Sequence, residues 1–254
     1  VTSCSPVIVM GNKVTENTEN AMSKGMYIYE CDGNSSGERT LIANNMVKAY
    51  GKAIELYSTG YADIYYNTLI NTYTSSGTSN GTLYINSSSE MNVKNNIITN
   101  TSGGRLVVKW IGSSTFDYNM YYGGSTDYGF YCQSPSLNGN FTSWQAAGFD
   151  ANGVLQDPGF YEYGDGFHLG AGNSLGTPLT EVTTDFDNEP RDETTPDIGA
   201  DEYLAPNYDG IVEVPGEITT IQGAIDIAVS GDSVKVAAGT YTENIDFNGK
   251  NIVV

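Results

Sequence analysis

Five asparagines, Asn12, Asn45, Asn67, Asn96 and Asn119, each stand three residues after one apolar residue and two before another. The frames read V-M-G-N-K-V, I-A-N-N-M-V, I-Y-Y-N-T-L, V-K-N-N-I-I and F-D-Y-N-M-Y. Their spacings of 33, 22, 29 and 23 residues lie in the range where self-similarity denotes stacked repeats rather than one globule. Side chains alternate faces along a strand, so two residues five apart cannot both point inward unless the chain bends between them. The frame therefore predicts a corner at each asparagine, a residue that tolerates left-handed backbone and carries both a donor and an acceptor. Asparagines at one corner of successive coils can bond up the stack, as in other in-register ladders. Deleting one would leave a buried polar group unpaired, at roughly 1–3 kcal/mol.

A second strand is expected after each frame: Gly25 to Tyr29, Ala53 to Tyr57, Thr82 to Asn86, Arg105 to Lys109 and Tyr128 to Cys132. Met26/Ile28, Ile54/Leu56 and Leu83/Ile85 alternate with Tyr, Glu or Asn, as in half-buried strands. The extra length of the longer intervals falls in C-D-G-N-S-S-G-E-R and Y-T-S-S-G-T-S-N-G, predicted to be loops on one side of the stack.

With 19 Tyr, 30 Gly and 16% charged residues, and no helical periodicity before about residue 215, the chain reads as all-β. A net charge of −19 argues against nucleic acid or an anionic membrane surface as partner and admits divalent cations. No apolar run approaches the roughly 18 residues of a membrane span. The chain opens on Val1 and shows no signal peptide, which reads as processed or excerpted. Cys4 and Cys31 are 27 residues apart, close to one coil. A disulfide between adjacent rungs and two small buried apolar residues are both consistent with that spacing.

The N-N-M-V and N-N-I-I frames, followed by strands such as G-M-Y-I-Y, resemble the right-handed parallel β-helix repeats of the pectate-lyase-like superfamily. The stretch from Phe116 through F-T-S-W-Q-A-A-G-F-D-A-N-G-V-L-Q-D-P-G-F to D-I-G-A-D-E-Y (Asp197 to Tyr203) resembles the terminal coils and end region of secreted bacterial members. The last fifty residues resemble the opening of a further β-helix. There Thr219 or Thr220 caps a short helix near residues 219–229, with Ile221, Ala224, Ile225 and Ala228 on one face. The expected organisation is coils over 1–135, terminal coils and end region over 136–206, and an opening segment over 207–254, paired in cis or in trans.

The resemblance implies either a structural role or a polysaccharide lyase or hydrolase acting on acidic polymers. The latter needs paired carboxylates, or a calcium cluster with a basic residue. Glu55, Asp63, Glu90 and Asp117 are scattered, the hallmarks of β-helix polygalacturonases are absent, and no catalytic residue is assigned. Lys94, Arg105 and Lys109 read as a solvated surface in preference to one basic face for a polyanion, and His168, between Phe167 and Leu169, as a packing residue. Asp185, Asp187 and Asn188 offer oxygens to a hard cation such as calcium. The competing reading pairs Arg191 with Asp197 or Asp201 and fixes that loop on the last coil. Tyr27, Tyr57 and Tyr84, on outward or corner positions, suit equally stacking on a polysaccharide and cross-strand stacking that stabilises the solenoid exterior. The expectation is a secreted module, extracellular or on a bacterial cell surface, structural or adhesive, self-associating head-to-tail through incomplete coils.

Overall fold

The computed structural model describes all residues except Val1, Ser5, residues 17–18, 35–36, 161–165 and 204–210, Glu217 and Val229. Two compact units emerge: Val1–Gly159 with Asn173–Glu202, and Phe160–Gly172 with Tyr203–Val254.

The first unit is a parallel β-solenoid with three faces. Sheet A stacks β1 (Thr2–Cys4), β4 (Lys24–Cys31), β7 (Lys52–Tyr57), β10 (Leu83–Asn86), β13 (Val107–Lys109) and β16 (Phe130–Cys132), and ends on antiparallel β17 (Leu137–Gly139). Sheet B stacks β2 (Ile8–Met10), β5 (Thr40–Ala43), β8 (Gly60–Tyr65), β11 (Ser89–Lys94) and β14 (Ser114–Asp117). Sheet C stacks β3 (Lys13–Thr15), β6 (Met46–Ala49), β9 (Thr68–Asn71), β12 (Ile97–Asn100), β15 (Met120–Gly123) and β18 (Val154–Leu155).

Each asparagine frame straddles the corner between sheets B and C. The preceding apolar residues form one inward column, Val9, Ile42, Ile64, Val93 and Phe116, and the following ones another, Val14, Val47, Leu69, Ile98 and Tyr121. Both columns join one core cluster. Two expectations need correcting. The extra-length loops lie at different corners, 32–39 between sheets A and B and 73–81 between sheets C and A, because each follows a different strand of its coil. A helix, α1 (Phe141–Ala146), precedes residue 215: one and a half turns are too short to show a period in sequence. Asn140 caps α1, and its buried Trp144 closes the core against Phe116, Phe130 and Phe149 at 4.2–5.3 Å between ring centroids.

The second unit contains parallel β19 (Ile211–Val214) and β20 (Ser233–Val236), a parallel bridge from Ser233 to Val253, and α2 (Ile221–Ile227). The Thr220 side chain accepts from Gly223 N, and Ala224, Ile225 and Ala228 pack on Val212, Val214 and Val234 in a core of their own.

Candidate functional site

At every B–C corner the left-handed residue is the one before the ladder asparagine: Gly11, Asn44, Tyr66, Asn95 and Tyr118, at φ between +51° and +67°. This corrects the expectation that the asparagine itself takes that conformation. The bend one residue earlier leaves the asparagine side chain directed along the stack. Each ladder Oδ1 accepts both the backbone N–H and the Nδ2 of the preceding rung, Asn12 to Asn45, Asn45 to Asn67, Asn67 to Asn96 and Asn96 to Asn119, at 2.9–3.2 Å. The second Nδ2 proton goes to backbone carbonyls such as Val9 O, Ile42 O and Ile64 O. All five amides point the same way.

The ladder ends on a carboxyl that the repeat did not reveal. Asn119 donates its N–H to Asp150 Oδ1 at 3.2 Å and its Nδ2 to Oδ2 at 2.8 Å, and Tyr121 Oη donates to Oδ2 at 2.6 Å. Burial raises Asp150 to about 6, against the opposing pull of those donors. The same burial, with the carboxyl beside it, pushes the Tyr121 phenol up.

Residues 173–202 form an irregular strap along the outside of this corner. Asn44 Nδ2 donates to Thr184 O, Tyr66 Oη to Thr177 O and Asn95 Nδ2 to Thr177 O, all at 2.7–2.8 Å, and Gly199 N donates to Asn95 O at 2.9 Å. Gly199 sits at φ +113°, and a Cβ there would lie 2.6 Å from Ile97 Cδ1, so close approach of the strap requires glycine. Buried Arg191 pairs with Glu202 at 3.1 Å, donates to Asn44 Oδ1 at 3.0 Å and lies 3.8 Å from the Tyr66 ring centroid. Its ionic partner is thus Glu202, not Asp197 or Asp201, because Asp197 offers it a backbone carbonyl while Glu202 points inward. The anchor is the middle rungs rather than the last coil. Burial raises Glu202 and lowers Arg191, each against the attraction of the other.

Asp185 is buried, and its oxygens accept the N–H groups of Asp187, Glu189 and Glu202 at 2.8–2.9 Å. Asp187 and Asn188 are exposed. The three residues are neighbours in one turn, with Asp185 committed to backbone donors that shape it.

On the outer face of sheet A, Tyr27 and Tyr57 are half-buried and both contact Tyr29, at 5.8 and 5.7 Å. Tyr84 is 6% exposed, covered by Lys52 at 3.9 Å from its ring centroid, and accepts from Trp110 Nε1 at 2.8 Å. Glu55 Oε2 receives Lys24 at 2.8 Å and Lys52 at 3.0 Å. Neither a shared basic face nor a solvated surface describes the three cations: Lys94 is on sheet B, Arg105 is buried under the carbonyls of Ser76 and Gly77, and Lys109 points into the core. Alternation along β13 places Lys109 inward, in register with Ile85. Cys31 is disulfide-bonded and stands opposite Cys4 in the β1–β4 register, whereas Cys132 is a buried free thiol. His168 is half-buried between buried Phe167 and Leu169.

No protein-family model matches this chain, and no curated protein or solved structure does either. No helix among the described residues is long and apolar enough to cross a membrane.

Proposed function

We propose that this chain is a secreted structural or adhesive β-helix module of a bacterial surface that self-associates head-to-tail through its incomplete terminal coils. The observation that carries the reading is the amide ladder, unbroken from Asn12 to Asp150, because it spends polar side chains on rigidity at the corner where sheets B and C meet. Stability in such a stack is close to a sum of rung terms and neighbour terms, which suits a load-bearing part. The carboxyls raised by burial, Asp150, Asp185 and Glu202, all belong to the ladder or the strap, so their environment serves the fold. For self-association, β1, β2 and β3 are the terminal strands of their sheets and Asn12 is exposed, which offers an edge and an amide to a rung of the same chemistry. For adhesion, the Tyr27–Tyr29–Tyr57 patch offers half-exposed aromatic surface to a polysaccharide.

The experiment is electron microscopy of the purified chain over rising concentration, run beside an assay for new reducing ends on acidic polysaccharides. Rods that lengthen with concentration, without polymer cleavage, are the expected outcome. Short monodisperse particles at all concentrations overturn the self-association, and turnover of the polymer replaces the structural reading with the lyase or hydrolase one.

A further inference from the structure

One interior column breaks its own chemistry. Along sheet A the inward positions Ile28, Leu56 and Ile85 are followed in register by Lys109 and then Cys132, and all five are buried. Lys109 is 1% exposed, its Nζ donates to Gly112 O at 2.6 Å, and the Cys132 Sγ lies 3.9 Å from that nitrogen. Gly112 has φ +102°, and a Cβ there would collide with Ser88 O, so the carbonyl that holds the amine belongs to a turn only glycine can make. The thiol donates to Ser134 O at 3.0 Å. Burying an amine among apolar rungs is costly unless it is paired. Packing alone would favour another residue like Ile85 at this position. The lysine instead places a nucleophilic nitrogen beside the free thiol, on register partners of adjacent strands whose backbones are about 4.8 Å apart.

The geometry points to an oxidative cross-link between Lys109 and Cys132 that joins the last two parallel strands of sheet A. The oxidant is hydrogen peroxide. It converts the thiol to a sulfenic acid: the S–O bond forms, the peroxide O–O bond breaks and one water leaves. The amine of Lys109 then attacks sulfur. The S–N bond forms, the S–O bond breaks, and the departing hydroxide takes a proton from nitrogen as a second water. Sulfur has lost two electrons to the peroxide, and the product is a sulfenamide, two hydrogens lighter than the separate side chains, which an added thiol reduces back. At the other end of the same sheet Cys31 is already disulfide-bonded, so a cross-link at Lys109 gives sheet A a sulfur-based staple at each end.

The test treats the folded full chain with a small excess of hydrogen peroxide, blocks remaining thiols in denaturant without reductant, and maps the digest by mass spectrometry. The expected result is loss of tryptic cleavage after Lys109, with a linked peptide pair containing Lys109 and Cys132, two hydrogens below the sum of its parts, that separates on adding a thiol. Lys109→Met, which keeps a long apolar stem and removes the amine, is expected to show no link and Cys132 oxidised to the sulfinic or sulfonic acid. Recovery of wild-type Cys132 as blocked thiol, or as an oxygen acid with Lys109 cleaved normally, overturns the proposal. A linked pair heavier by one oxygen overturns the sulfenamide step.

Discussion

At the scale of single residues, the ladder makes unequal demands on chemically identical side chains. Asn67 is fully buried and uses both Nδ2 protons and its Oδ1 on the protein, whereas Asn12 is exposed. Asn67→Ala strands the Asn45 donors and the Ile42 carbonyl, so a loss of roughly 1–3 kcal/mol is expected. Asn12→Ala, where water replaces the lost partners, is expected to cost well under half of that. Midpoints of chemical denaturation compare the two. Asp150 carries a different signature. Its folded proton affinity, about 6, lies above the ordinary 3.8 of a free aspartate. A raised carboxyl stabilises the fold fully below the unfolded value and loses that contribution as pH climbs through the folded one. The wild type is therefore expected to lose up to about 3 kcal/mol relative to Asp150→Asn between pH ~4 and pH ~6. The variant continues the ladder with an amide and keeps no proton to lose. Parallel melting curves across that range check it, and parallel pH profiles for the two proteins would dispose of the Asp150 account.

The elements differ in how far sequence revealed them. The corner was legible because asparagine is the residue whose side chain both donates and accepts along a stack, and because its apolar flanks five apart cannot share a straight strand. The left-handed position was not, since Gly11, Asn44, Tyr66, Asn95 and Tyr118 share a backbone angle and no side-chain chemistry. Asp150 escaped because α1 is inserted before it, and because its flanks do not repeat the frame. The strap escaped for a more general reason: it has almost no regular backbone, and its contacts span 82 to 147 residues in sequence. No local pattern encodes such pairs. It is nevertheless testable as an element. Arg191→Met leaves Glu202 buried without its cation, which for a broken buried pair costs roughly 3–5 kcal/mol. Hydrogen exchange should then accelerate at the Thr177, Gly199 and Ala200 amides, which bond Asn95 and Thr68. The ladder amides of Asn45 and Asn67 should stay protected. Equal acceleration at both sets would mean that the strap and the coils open as one unit.

Across the whole molecule, the dominant unsatisfied quantity is charge. Thirty acidic residues face eleven basic ones, for a net −19. Several of those cations are already engaged with carboxylates, as in Arg39–Asp63, Arg191–Glu202 and Lys24 and Lys52 on Glu55. Folding into closely stacked rungs concentrates the remaining negative charge, and such self-repulsion destabilises compact states. Its range is set by ionic strength, from about 30 Å at 0.01 M to about 3 Å at 1 M. The melting temperature is therefore expected to rise steadily with sodium chloride over that interval, by roughly 2–4 °C for each kcal/mol of repulsion relieved. Calcium chloride at matched ionic strength separates two origins of the effect. Screening alone gives overlapping curves, which is the expected outcome given that Asp185 spends its oxygens on the N–H groups of Asp187, Glu189 and Glu202. A calcium curve that climbs early and saturates would instead place a specific cation on the acidic turn at residues 185–188, and chelator would then lower the melting temperature.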